Sequence, residues 1–76
     1  MELTPHLFKR MEDRRFSEVD LRTMLNKATS YHPDFETGRW ALVTRHQRRQ
    51  WEVIVEPDAD AKVLVVVTAY RIEGKR

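Results

Sequence analysis

The feature that most constrains this chain is residues 62–71, KVLVVVTAYR, its longest apolar run and a strongly β-branched one. Such a run reads as a buried strand. Strand side chains alternate, which sets Val63, Val65, Val67 and Ala69 on one face and Leu64, Val66, Thr68 and Tyr70 on the other. The second face turns polar near its end, and the run itself therefore points to a site there.

A chain of 76 residues is long enough for one small core, a helix layer on a sheet, and too short for two. With 41% hydrophobic and 34% charged residues it has the balance of a folded domain rather than of a disordered segment. No cysteine is present, so there is neither a disulfide framework nor a thiolate metal site, and the cytoplasm is the expected location. The N-terminal stretch MELTPHLFKRMEDRR carries charges from its first turns and no leader-like apolar region. Nothing in the sequence approaches the roughly 18 apolar residues of a membrane span, so a soluble, unanchored chain is expected.

The net charge of +2 decides little, but its distribution is informative. Residues 39–51 hold Arg39, Arg45, Arg48 and Arg49 with no acid, whereas residues 52–60 hold Glu52, Glu56, Asp58 and Asp60 with no base. A hairpin places sequence neighbours at one end of a sheet, which predicts a basic tip around HQRRQ.

In chain order, Thr4 can cap orphan amides and Pro5 at the first helical position loses a donor that has no partner there, predicting a helix over about 5–15. Leu7, Phe8 and Met11 form its apolar face, and His6, Arg10 and Arg14 form a stripe beside it. Ser17 and Asp20 make an Asp-for-Glu capping box, with Phe16 and Leu21 placed as a hydrophobic staple, and open a second helix over about 18–29. Its buried face is Leu21, Met24, Leu25 and Ala28. Strands follow over about 30–34, where Pro33 confines the strand to an edge, and over 39–45, 51–56 and 62–71. Short connections favour an antiparallel meander. The fold class is thus α+β, two N-terminal helices on one face of a three- to four-stranded antiparallel sheet. Two registers remain open for the central hairpin. The preferred one sets Trp40 beside Val55 and Leu42 beside Val53, which buries Trp40, brings Thr44 into the core and sends Arg45 to the open face; a one-residue slip reverses this.

The helical His-x-x-x-Arg-Met-x-x-Arg (His6, Arg10, Met11, Arg14), the Ser-Glu-led helix after it, a Gly-Arg-Trp strand and a valine-rich last strand ending Thr-Ala-Tyr-Arg together resemble a group of small bacterial domains. These are catalogued mainly as a domain of unknown function and look like relatives of the BrnT and RelE/ParE toxins, within the wider assemblage of barnase, EndoU, colicin and RelE-like nucleases. The resemblance covers nearly the whole chain. It implies a RelE/ParE-like fold and, for many members, metal-independent RNA cleavage by basic or hydroxyl residues of the first helix and the strands. ParE-like members inhibit a topoisomerase instead, so fold alone does not set the activity.

Metal-independent RNA cleavage needs a base for the 2′-hydroxyl proton, cations to hold the phosphate and an acid for the leaving oxygen. Imidazoles titrate near neutral pH, and guanidinium forks match phosphate oxygens. The candidate set is His6 as base or acid, Arg10 and Arg45 as phosphate clamps, and Thr68 or Tyr70 assisting, with Arg14, His46, Arg48 and Arg49 as nucleic-acid contacts. Tyr31, Trp40 or Tyr70 could stack a base. Each candidate has a plainer competitor. His6 can be a locally bonded surface residue, Arg10 and Arg14 can pair with acids such as Glu18, the Arg-rich tip can be merely solvated, and Trp40 and Trp51 can be core. The three histidines show no paired ligand spacing, and with only Gly38 and Gly74 there is no nucleotide-cradling loop, so no metal and no cofactor are expected.

Two functions from different classes follow. One is a toxin-like endoribonuclease acting on RNA and restrained by an antitoxin protein. The other is a non-catalytic module that uses a sheet edge or the basic tip to bind a protein or nucleic acid. A valine strand ending a meander exposes an edge, so a homodimer or a hetero-complex through residues 62–71 is expected.

Overall fold

A computed structural model describes residues 1–72. Its elements run β1 (Glu2–Leu3), α1 (Pro5–Arg14), α2 (Glu18–Asn26), β2 (Ser30–Pro33), β3 (Trp40–His46), β4 (Arg49–Asp58) and β5 (Val63–Arg71). The architecture is α+β, with both helices packed on one face of the sheet. The strands β2 to β5 form an antiparallel meander, as the short connections imply. One strand had no sequence signal. The two residues of β1 run parallel to β5, with Glu2 opposite Val65 and Leu3 opposite Val66, so the sheet is five-stranded and mixed, in the order β1-β5-β4-β3-β2. The outer strands are therefore β1 and β2. The last strand, expected to lie open at the edge, is flanked by β1 at Val65 and Val66.

Both helices begin where their caps dictate. The Thr4 hydroxyl accepts from the Leu7 amide at 3.1 Å with Pro5 at the first position. In the capping box of α2 the Asp20 amide donates to Ser17 Oγ at 3.1 Å and the Ser17 amide to the Asp20 carboxylate at 2.9 Å. The second helix ends at Asn26, short of the expected 29, because the sheet takes the chain: the Thr29 amide already donates to the Val43 carbonyl at 2.9 Å. The buried Thr44 hydroxyl donates to the Met24 carbonyl at 2.5 Å and so satisfies an acceptor of the helix's last turn.

The core gathers Leu7, Phe16, Leu21 and Met24 from the helical layer against Trp51, Val53, Val55, Val66 and Ala69 from the sheet. Burying each such aliphatic side chain contributes about 1.5–3 kcal/mol. The central hairpin adopts the preferred register, with Trp40 opposite Val55, Leu42 opposite Val53 and Thr44 in the core. Two apolar expectations fail. Trp40 sits at the start of β3 beyond the reach of the helices, and it remains 37% exposed with its ring edge-on to Tyr31. Phe8 projects from the outer side of α1, leaving Leu7 and Met11 as its inward face.

Simple alternation along β5 does not survive either. Ile54 pairs with Thr68, but the next residue, Val55, pairs with Val66, which makes Val67 an extra residue in a β-bulge. Leu64, Val66 and Ala69 consequently face the helices, and Val63, Val65, Thr68 and Tyr70 face the open side. The Val67 carbonyl accepts from the Thr4 hydroxyl at 2.6 Å, so one side chain caps α1 and ties down the bulge. No described helix is long and apolar enough to cross a membrane.

Candidate functional site

The hairpin joining β3 to β4 is tighter than the HQRRQ segment suggested. His46 pairs with Arg49, so only Gln47 and Arg48 turn the chain, and both carry positive φ, 52° and 66°. A two-residue loop with that geometry matches the twist of the strands, but it normally uses Asn-Gly because side chains resist the left-handed region. Beside it, the αL residue Arg15 (φ 59°) ends α1 by donating its amide to the Met11 carbonyl. The two tight turns bring the end of the first helix next to the hairpin tip.

Between them lies a cleft of about 370 Å³ walled by Arg14, Arg15, His46, Arg49, Trp51 and Arg71. Asp13 and Gln47 complete its rim. Among the described residues, Arg14, Arg15 and Arg49 enter no ion pair and no side-chain hydrogen bond. The acid that sequence spacing offered Arg14, Glu18, is taken by Arg22 at 3.0 Å. The cleft floor is aromatic. Trp51 and Phe16 meet edge-to-face at 5.1 Å, and the His46 ring stands edge-on to both, 5.6 Å from Trp51 and 6.5 Å from Phe16. This packing holds the imidazole at the mouth. Trp51 is 3% exposed, and its indole N–H has no hydrogen-bond partner among the described residues. Such a donor costs roughly 1–3 kcal/mol unless something accepts from it. Behind His46, the Asp20 carboxyl is held below the usual range chiefly by the Ser17 amide. Burial opposes this shift, while the Ser17 hydroxyl and the His46 charge add to it.

A cluster of guanidiniums with an imidazole is complementary to an anion with several acceptor oxygens, such as a phosphodiester. Among the described residues, no three His, Asp or Glu side chains converge as metal ligands would.

The residues singled out from sequence are divided among three places. Arg14, His46 and Arg49 meet in the cleft. Arg45 and Arg48 lie on the other flank of the hairpin, towards α2, in a groove that also includes His46. His6 stands at the opposite end of α1 and Arg10 one turn before Arg14, and neither lines the cleft. At 1.5 Å per residue His6 lies about 12 Å along the axis from Arg14. Thr68 and Tyr70 are on the open sheet face, where the Tyr70 hydroxyl donates to Glu52 and His32 Nε2 lies 3.5 Å from the other oxygen of that carboxylate. The proposed reacting set of His6, Arg10, Arg45, Thr68 and Tyr70 is thus not gathered in one site.

Sequence reasoning missed Arg15 and Arg71. The Arg14-Arg15 pair at a helix end was a usable signal for the first. Arg71 reaches the cleft side only because of the bulge, which no residue pattern announces.

Comparison with curated proteins returned no match, and comparison with solved structures returned none. A family model does match, over residues 3–71, and covers every element from the second residue of β1 to the end of β5. The chain belongs to the family described as a domain of unknown function, DUF4258.

Proposed function

We propose that this protein is a toxin-like, metal-independent ribonuclease that draws an RNA backbone into the basic cleft and is restrained by a partner antitoxin. The observation that carries this reading is the cleft itself, where Arg14, Arg15 and Arg49, without ion pairs among the described residues, gather around His46. The resemblance to BrnT and RelE/ParE toxins supports it from the side of sequence. In the proposed step His46 takes the proton of a 2′-hydroxyl as its oxygen bonds to the adjacent phosphorus. The bond from phosphorus to the 5′-oxygen breaks, and water at the open mouth protonates that oxygen, leaving a 2′,3′-cyclic phosphate and a 5′-hydroxyl. The guanidiniums hold the non-bridging oxygens as charge builds on them.

A second reading, a non-catalytic module binding nucleic acid at the same tip, is favoured by one observation. The other candidate acid–base groups, His6 and Tyr70, lie outside the cleft.

The test is cleavage of a labelled unstructured RNA in the presence of chelator. Wild type should cut, His46→Ala should lose at least about 100-fold in rate, and Arg49→Ala should lose affinity, each with a wild-type circular dichroism spectrum. Loss on His6→Ala with His46→Ala active would move the centre to the start of α1. Folded wild type that binds RNA without cutting it selects the module.

A further inference from the structure

The hairpin tip has a second flank, and it is as basic as the first. A groove of about 430 Å³ lies between the hairpin and the end of α2, lined by Lys27, Arg45 and Arg48 and by Thr23 and Thr29, whose hydroxyls donate to the Val19 and Val43 carbonyls. None of its lining residues is acidic. Its cations enter no ion pair and no side-chain hydrogen bond among the described residues. Of the carbonyls of the last turn of α2, which would repel an anion here, those of Thr23 and Met24 accept from the Lys27 amide at 3.0 and 3.2 Å, that of Met24 also from the Thr44 hydroxyl, and that of Leu25 from the Ala28 amide at 3.4 Å. The groove does not stand apart from the cleft described above. His46 and Gln47 line both, so the two form one basic track that crosses the hairpin tip with the imidazole at the crossing.

We infer that the groove between the hairpin and α2 is a second phosphate-binding site, and that one single-stranded nucleic-acid segment lies across the tip with phosphates in both grooves. This rests on the reading of the cleft as an RNA site and extends it. A flexible strand can pass over a ridge one hairpin wide. A duplex cannot, because it is stiff over about 150 base pairs and bending it sharply costs several kcal/mol. The crossing also explains why the turn keeps Arg48 at positive φ, where a glycine would sit without strain: glycine would leave the second groove without one of its three cations. The position of His46 then assigns the phosphate at the crossing as the one attacked, with flanking phosphates on either side, so that internal bonds of a strand are cut rather than terminal ones.

The inference is tested by fluorescence anisotropy with labelled 2′-deoxy oligonucleotides, which cannot be cleaved by 2′-hydroxyl attack, in a length series from two to about ten nucleotides. Affinity should rise with length until both grooves are filled and then level off, and a duplex of the same length should bind more weakly. The double variant Lys27→Ala, Arg48→Ala should lose about tenfold in affinity for the longer strands. Its logarithmic salt dependence should become shallower by about 1.4, the value for two lost phosphate contacts on a single strand. The charge-reversed pair Lys27→Glu, Arg48→Glu should lose more. Both variants keep the wild-type circular dichroism spectrum, since neither position is in the core. If the double variant binds long strands with wild-type affinity and salt dependence while Arg49→Ala loses both, the strand lies on one side only and the inference is overturned. If wild type binds no oligonucleotide of any length at low salt, the reading of the cleft fails first, a pattern distinct from the loss of the second groove alone.

Discussion

Glu52 shows how single residues on the open side of the sheet are balanced. Its side chain is only 17% exposed, and its carboxylate lies between the Tyr70 hydroxyl and the His32 ring. Burial, then the bond to Glu52, then the charges of Glu52 and Asp34 raise the pKa of Tyr70 well above the ordinary phenol value. A folded-state pKa raised in this way contributes stability that is fully present below the unfolded value of 10.0 and is lost as pH rises beyond it. Tyr70→Phe should therefore lower stability by about 1 kcal/mol at about pH 8, the loss of one hydrogen bond to a shielded carboxylate. The gap between the variant and wild type should narrow above about pH 10. Urea unfolding midpoints at the two pH values measure it, and a gap that stays constant would show that the hydroxyl carries no linked proton.

Among the elements, the β3–β4 hairpin combines the tightest turn with the greatest strain. Two side-chain-bearing residues in the left-handed region cost about 1–2 kcal/mol each, and glycine's extra freedom in the unfolded chain recovers somewhat under 1 kcal/mol of that difference. Replacing Gln47 and Arg48 by Asn and Gly should stabilise the protein by about 1 kcal/mol in thermal or urea unfolding, while weakening the nucleic-acid binding proposed for the tip through the lost guanidinium. Much of this element was legible. The preferred register of Trp40, Leu42 and Thr44 against Val55, Val53 and Trp51 is the observed one, although the reason for preferring it, burial of Trp40, fails, and Thr44 opposite Trp51 is what reaches the core. The caps at Thr4 and Ser17 were legible because they act within three residues of themselves. The turn was not, since Gln-Arg carries no Asn-Gly signature, and the positive φ values come from the pairing of His46 with Arg49 rather than from local preference.

At the scale of the whole molecule the N-terminal residues are tied to the last strand. Thr4 accepts from Leu7, donates to the Val67 carbonyl, and gives its amide to the Val66 carbonyl at 3.3 Å, so one residue joins β1, α1 and β5. Thr4→Val should cost about 2 kcal/mol, the sum of a lost cap and an unsatisfied carbonyl, whereas Thr4→Ser should cost less than 1 kcal/mol; chemical denaturation separates them. These links were hidden in the sequence because they join residues more than sixty positions apart. The site was half legible for the same reason. Arg14, His46 and Arg49 stand out as basic residues near turns, but their meeting depends on how α1 ends against the hairpin.

The extra residue in β5 has a consequence that resembles a shift of reading frame. Upstream of Val67 the strand is read in one phase and downstream in the other, and the residues that change sides are Thr68, Ala69, Tyr70 and Arg71. Without the insertion Ala69 would turn away from the helices, Tyr70 would be driven in among them, and Arg71 would leave the cleft. One inserted valine therefore decides which surface of the protein receives the cation and which receives the phenol, although it takes no part in either.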